Sequence, residues 1–135
     1  MKALILKNLQ NDFLDIGAVP LKDVEKIIEE ANEVMLGYDI VIAVQKWYPA
    51  EHKMFAANHL WRKPEQELEV EGEPVTLQVI HCVADSFGAA FPKSLNQDLI
   101  GYIVRDEGNG PEAVLAAIKQ IVSENDIQTI ISNCY

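Results

Sequence analysis

Basic residues are scarce in this sequence, which has 11 lysines and arginines against 21 aspartates and glutamates. The formal net charge of −10 argues against unassisted binding to nucleic acid or to an anionic membrane, because both need a basic patch. Long apolar runs are also lacking, and none approaches the ~18 residues needed to span a bilayer. The apolar stretch at the N-terminus stops at Lys7, too early for a signal peptide, so we expect a cytoplasmic protein.

Cysteine is equally sparse, since Cys82 and Cys134 are the two in the chain and they do not form a close-spaced pair. Without an export signal, we expect two reduced thiols rather than a disulfide. A length of 135 residues predicts one domain, spanning residues 1–135. The hydrophobic share of 49% against 24% charged residues is typical of a folded chain rather than a disordered one.

Short apolar runs alternate with amphipathic segments along the chain, which predicts an α/β fold. We expect strands over residues 3–9, 39–45, 99–105 and 126–132, and helices over 23–36 and 111–123. The weakly periodic stretch 46–98 is long for a connection, so it should be functional or folded on itself. This order predicts three layers: a doubly wound, Rossmann-like parallel sheet with helices on both faces. Such sheets bind ligands beyond the carboxyl ends of their strands.

Segments near the predicted strand ends resemble motifs of the isochorismatase/nicotinamidase family of cysteine hydrolases. Segment 9–14 (Leu-Gln-Asn-Asp-Phe-Leu) is similar to the opening motif, an Asp followed by x-Gln-Asn-Asp-Phe. Segments 45–52 and 55–59 resemble the Gln-Asp-Trp-His-Pro-x-x-His block and the Ser-Phe-Ala-x-x-His that follows it. Segment 81–83 resembles the His-Cys-Val block. The motifs keep the family's order and spacing from residue 3 to about residue 107, which implies the family's α/β fold.

The resemblance also implies a chemistry that this chain has altered. Members hydrolyse small amides or, in isochorismatases, a vinyl ether; in the amidases a cysteine thiolate attacks the carbonyl, assisted by an aspartate and a lysine. The catalytic aspartate falls on Asn8, and the lysine falls on Asp106 or Glu107. The nucleophile belongs near Cys134, which we expect a few residues too early and without a helix N-terminus to stabilise a thiolate. A thiolate needs a base and a cation nearby, and both have been replaced.

The positions that hold a divalent metal in nicotinamidases are altered as well. The metal aspartate falls on Lys46, the first histidine on Tyr48 and the second on His81. One neutral imidazole does not make a zinc or iron site, so we expect no metal and no cofactor. Residues near the altered site are expected to contact a small-molecule ligand instead; they are Phe13, Trp47, Tyr48, Gln78 and His81.

Three functional hypotheses follow from this pattern. We favour a catalytically degenerate family member that serves as a binding, regulatory or assembly module. The second hypothesis is a hydrolase of small amides with a rearranged site, which uses Cys134 or Cys82. The third is an enzyme part that another chain completes.

The resemblance further implies a C-terminally shortened sheet with four strands in the order 3-2-1-4. The last strand would then expose an apolar edge, which we expect a second copy or a partner chain to cover. Whether the chain is a fragment of a longer product stays open. His52 and His59 match family positions and are expected to make structural hydrogen bonds. Asn8 either braces the end of its strand or hydrogen-bonds a ligand amide.

Overall fold

The fold alternates strands and helices on either side of a long connection. The computed structural model describes the backbone of residues 1–134 and the side chains of residues 1–130. Its helices and strands, in chain order, are β1 (Lys2–Lys7), α1 (Val24–Met35), β2 (Ile40–Lys46), β3 (Glu67–Val70), β4 (Glu73–Thr76), β5 (Tyr102–Asp106), α2 (Pro111–Glu124) and β6 (Thr129–Cys134).

Four of these strands form a parallel sheet in the order β5-β2-β1-β6. The order confirms the expected 3-2-1-4 arrangement, with β1 and β2 in the centre and β6 at one edge. The central strands are almost entirely buried because both of their faces are covered, which explains why they are apolar runs rather than alternating patterns.

Successive residues of the central strands point into two separate cores. The core against α1 combines strand residues with one face of that helix; its buried members include Leu4, Leu6, Val41, Val24, Ile28, Ala31 and Met35. The core against α2 takes the alternate strand residues; its members include Ala3, Ile5, Ile42, Val44, Val104 and Ile118. Full burial of a large aliphatic side chain contributes ~1.5–3 kcal/mol, so both helices are held to the sheet mainly by these contacts. The predicted three layers are confirmed.

The helices begin and end close to the predicted residues. Pro111 opens α2 because a residue at the first helical position has no hydrogen-bond partner for its N–H in any case. Gly37 follows α1 and donates its N–H to the Val34 carbonyl, which closes the last turn. Neither helix of the described chain is long and apolar enough to cross a membrane.

Two strand boundaries differ from the prediction because the backbone turns left-handed nearby. Strand β1 ends at Lys7 rather than at residue 9, since Asn8 has φ 62°. Strand β6 begins at Thr129 rather than at residue 126, since Asp126 has φ 54° and leads out of α2. Cys134 is therefore the last residue of β6 and is paired in register with Lys7. The prediction had placed it after the end of the strand.

The long connection between β2 and β5 is folded on itself, as expected. Strands β3 and β4 pair antiparallel and form a hairpin that was not recognised in the sequence. Its two turn residues, Glu71 with φ 53° and Gly72 with φ 83°, have the positive φ angles of a type I′ turn. Residues Gln97–Leu99 form a short 3-10 turn, so β5 begins at Tyr102, three residues later than predicted.

Candidate functional site

The carboxyl ends of β1, β2 and β5 meet at a pocket of about 490 Å³. Asn8, Lys46 and Asp106 all line it. Lys46 and Asp106 are register partners on neighbouring strands, and Asn8 directly follows the strand on the other side of β2. The fold thus brings together three positions at which the resemblance places altered catalytic and metal-binding residues.

The opposite wall of this strand-end pocket is apolar and comes mainly from α2. Side chains of that wall are Val44, Pro111, Val114, Leu115 and Ile118. Lys7 and Glu112 add one charge of each sign to the lining. An apolar wall with a few polar groups at one end is the usual composition of a small-molecule site.

Lys46 is held in place by the buried side chain of Gln10, whose importance the sequence analysis missed. Gln10 Oε1 accepts the Lys46 N–H at 2.8 Å, while Gln10 Nε2 donates to the Lys46 carbonyl at 2.8 Å and to the Ala89 carbonyl at 2.7 Å. Because β1 turns away at Asn8, this amide takes the place of a backbone peptide group and extends the β1–β2 ladder. The signal available in the sequence was a glutamine placed between Leu9 and Asn11, directly after a strand.

Asp12 ties the first strand end to the segment that carries His81 and Cys82. Its Oδ2 accepts the Cys82 N–H at 2.6 Å, where the Cys82 backbone is left-handed with φ 50°. Burial, followed by the charge of Asp12, raises the pKa of the Cys82 thiol to about 12. The side chain of Cys82 is fully buried. These conditions disfavour a thiolate and argue against Cys82 as a nucleophile.

An aromatic cluster lies beside the strand-end pocket and consists of Phe13, Tyr48, Phe55 and His81. The Tyr48 and His81 ring centroids are 5.5 Å apart, those of Phe55 and His81 5.7 Å, and those of Phe13 and His81 6.4 Å, all edge to face. The Lys46 Nζ lies 5.4 Å from the Phe13 ring centroid, which connects the cluster to the pocket through a cation–π contact.

The polar groups of this cluster are biased towards their neutral forms. Burial lowers the pKa of His81, and the positive charge of Lys46 lowers it further against the opposing hydrogen bond to Val79. Because the Val79 carbonyl can only accept, His81 Nδ1 carries the proton in that 2.8 Å bond. Burial, followed by the charge of Asp106, raises the pKa of the Tyr48 hydroxyl.

The remaining predicted site residues lie around the pocket rather than in it. Gln78 and His81 line a smaller cavity of about 240 Å³, which is formed mainly by the long connection between β2 and β5. Trp47 lines another cavity with Glu107, and the Arg105 guanidinium stacks 4.0 Å from its ring centroid. The side chain of Cys134 lies outside the described residues, so its role as a nucleophile stays a prediction.

His52 and His59 make structural hydrogen bonds, as expected. His52 Nε2 donates to the Gly108 carbonyl at 3.1 Å, and its Nδ1 accepts the Met54 N–H at 3.1 Å. Both ring nitrogens are therefore occupied by the backbone. His59 Nε2 bonds to the Lys53 carbonyl at 2.5 Å.

Known proteins are similar in sequence over most of this chain. Nicotinamidase of Escherichia coli (strain K12) is 33% identical over 114 residues, which are 82% of this chain and 53% of that protein. Nicotinamidase of Acinetobacter baylyi is 29% identical over 76% of this chain and 48% of that protein. The chain therefore spans about half the length of these relatives. No family model matches the sequence.

Solved structures agree on the fold. A nicotinamidase/pyrazinamidase of Acinetobacter baumanii superposes with a TM-score of 0.85 at 24% identity, covering 97% of this chain and 69% of that one. The pyrazinamidase of Pyrococcus horikoshii, solved in complex with zinc, gives a TM-score of 0.67 at 22% identity, covering 98% of this chain and 70% of that one.

This chain belongs to the isochorismatase/nicotinamidase-like family. The sequence relatives support that membership, and the solved structures share the fold. The chain is shortened relative to its structural neighbours in this family, since it covers between 56% and 70% of them.

The side chains of this family member do not fit the metal that the family's nicotinamidases hold. Where the resemblance implies an aspartate and a histidine, Lys46 presents an ammonium without a lone pair and Tyr48 presents a buried phenol. His81 remains as one neutral imidazole. Within the described residues, no group of three or more His, Cys, Asp or Glu side chains could hold a metal ion.

Proposed function

We propose that this protein is a catalytically degenerate family member that binds a small molecule at the strand ends instead of hydrolysing it. The observation that carries the proposal is the pocket of about 490 Å³ lined by Asn8, Lys46 and Asp106. An amide cannot accept a thiol proton as a carboxylate does, and a carboxylate cannot supply the charge of a lysine. Changing several members of a cooperative catalytic set removes most of its rate advantage.

The shape of the pocket supports binding of a compact, partly apolar ligand. Leu115 and Ile118 form an apolar wall, while Asn8 and the charges of Lys46 and Asp106 lie at the strand ends. A ring or short aliphatic body would contact the wall. An amide or carboxylate group would then face side chains that donate and accept hydrogen bonds.

Loss of hydrolysis is tested by measuring ammonia release from nicotinamide and a small panel of amides, with and without added zinc or iron. A Cys134→Ala variant is the control. We expect no turnover above the control, because the base and the cation of the parent reaction are both replaced. Turnover that disappears in the control would overturn the proposal and show that a site had been rebuilt around Cys134.

Binding is tested by thermal unfolding in the presence of nicotinamide, nicotinate or benzamide. Leu115→Trp should fill the pocket and abolish the ligand-induced rise in Tm, since Leu115 is half exposed on its wall. Leu36→Trp is the matched control, because Leu36 is exposed at the end of α1, on the other face of the sheet. Equal rises in both variants would place the ligand elsewhere, and no rise in wild type with any probe would count against binding of this ligand class.

The second candidate function is a nicotinamidase-type amide hydrolase with a rearranged site. It is favoured by the two relatives named nicotinamidase, at 33% and 29% identity. The ammonia assay separates it from the degenerate module. Turnover that appears only when the chain co-purifies with another protein would favour an enzyme part completed in assembly.

An assembly role at the sheet edge also stays a proposal. Strand β6 is one of the two edge strands of the described sheet, and Ile130 on it is 45% exposed. Exposed apolar edge strands favour pairing with another chain. Size-exclusion chromatography with light scattering should therefore give a mass of at least two chains, and a monodisperse monomer would contradict this.

A further inference from the structure

We infer that the ammonium of Lys46 takes the place of a divalent metal as the resident cation of this site. The inference concerns the positions of Lys46, Tyr48 and His81 and does not depend on whether the strand-end pocket binds a small molecule. One structural neighbour, the Pyrococcus horikoshii pyrazinamidase, was solved with zinc, so the same sheet can carry a metal.

The three side chains converge even though they do not form a metal site. Tyr48 and His81 are in edge-to-face contact, with ring centroids 5.5 Å apart. Phe13 contacts both the lysine and the histidine: its ring centroid is 5.4 Å from Lys46 Nζ and 6.4 Å from that of His81. A metal at this place would meet an ammonium instead of a carboxylate.

Hydrogen bonds fix the backbone of Lys46, and a ring contact places its ammonium. Gln10 holds both the N–H and the carbonyl of Lys46, each at 2.8 Å. The cation–π contact with Phe13 then stabilises the ammonium against an apolar ring. Because the positive charge is covalently attached, the site keeps its cation at any metal concentration. Like charges repel, so zinc binding beside Lys46 is disfavoured.

One imidazole already has the tautomer that a metal ligand needs. His81 Nδ1 donates to the Val79 carbonyl, which leaves the lone pair on Nε2. Only two substitutions, Lys46→Asp and Tyr48→His, would therefore supply an aspartate and two histidines at converging positions. Three protein ligands with water in the fourth position are a common zinc arrangement.

The test compares zinc binding by wild type, Lys46→Asp and the Lys46→Asp/Tyr48→His double variant, using a competing chromophoric chelator. The matched control is Lys26→Asp/Tyr102→His, which makes the same chemical changes at exposed sites on α1 and β5. Cobalt absorption bands report whether the bound metal is tetrahedral, and circular dichroism confirms that each variant is folded.

We expect wild type and the control variant to bind no zinc, and Lys46→Asp to bind it weakly. The double variant should bind one zinc per chain, more than ~100-fold tighter than the control, since even outer-shell changes alter metal affinity by about 10–100-fold. Wild type binding zinc as tightly as the double variant would overturn the inference. A folded double variant that binds no tighter than the control would also overturn it. If the double variant does not fold, Lys46→Asp decides, and binding no tighter than wild type refutes the inference.

Discussion

Replacing Gln10 with leucine is expected to destabilise the protein and to loosen the position of Lys46. The Gln10 side chain is completely buried and makes three hydrogen bonds, two of them to the backbone of Lys46. Leucine has a similar volume, so the substitution removes the hydrogen bonds without leaving a large cavity. The Ala89 carbonyl still accepts from Gln45 Nε2 at 2.9 Å, whereas the Lys46 N–H and carbonyl lose this partner.

The magnitude follows from those two backbone groups. A buried polar group left without its partner costs about 1–3 kcal/mol, and burial of a leucine in place of an amide offsets part of this. We expect the free energy of unfolding to fall by about 3 kcal/mol. For a domain of this size the change corresponds to a Tm lower by roughly 10 °C.

Urea unfolding, monitored by circular dichroism, measures this change in the free energy of unfolding. An unchanged m-value shows that only stability has altered. Gln120→Leu is the matched control, because Gln120 is exposed on α2 and bonds only to the side chain of Glu124 among the described residues. It should stay within about 0.5 kcal/mol of wild type. A Gln10→Leu variant within ~1 kcal/mol of wild type would refute the view that this amide completes the ladder.

One labelling experiment and one substitution near Asp12 have defined outcomes. In a Cys134→Ala background, alkylation of native Cys82 at pH 8 should be roughly 1000-fold slower than that of an ordinary thiol, because its pKa is raised from 9.0 to about 12; rapid labelling below neutral pH would instead indicate a reactive thiolate. Gly17→Ala should lower the free energy of unfolding by ~1–3 kcal/mol, because the added Cβ would overlap the Asp12 carbonyl. Gly37→Ala, which meets only ordinary contacts, should stay within ~0.5 kcal/mol in the same urea experiment, and equal losses would contradict the overlap.

The pattern of the sequence by itself determined the fold class and the positions of both helices, and the family resemblance supplied the strand order. Continuous apolar runs such as 3–6 and 40–44 predict buried strands of a parallel sheet, because strands covered on both faces need no polar residue. The helical spacing of Ile28, Ala31 and Met35 identifies α1 in the same way. The motif resemblance then predicted that Asn8, Lys46 and either Asp106 or Glu107 lie at strand ends.

Only the tertiary structure decided how those strand ends are completed. The left-handed turn at Asn8 and the amide of Gln10, which takes the place of a backbone peptide group beyond the end of β1, depend on contacts with residues far along the chain. The hairpin turn at Glu71 and Gly72 was similarly missed, because its strands are short and largely exposed. Apolar periodicity records burial against a whole helix or sheet, whereas a single hydrogen bond between distant residues leaves no periodic trace. The sequence shows that residue 46 carries a positive charge. Only the folded chain places the Lys46 ammonium over Phe13, whose ring in turn contacts His81.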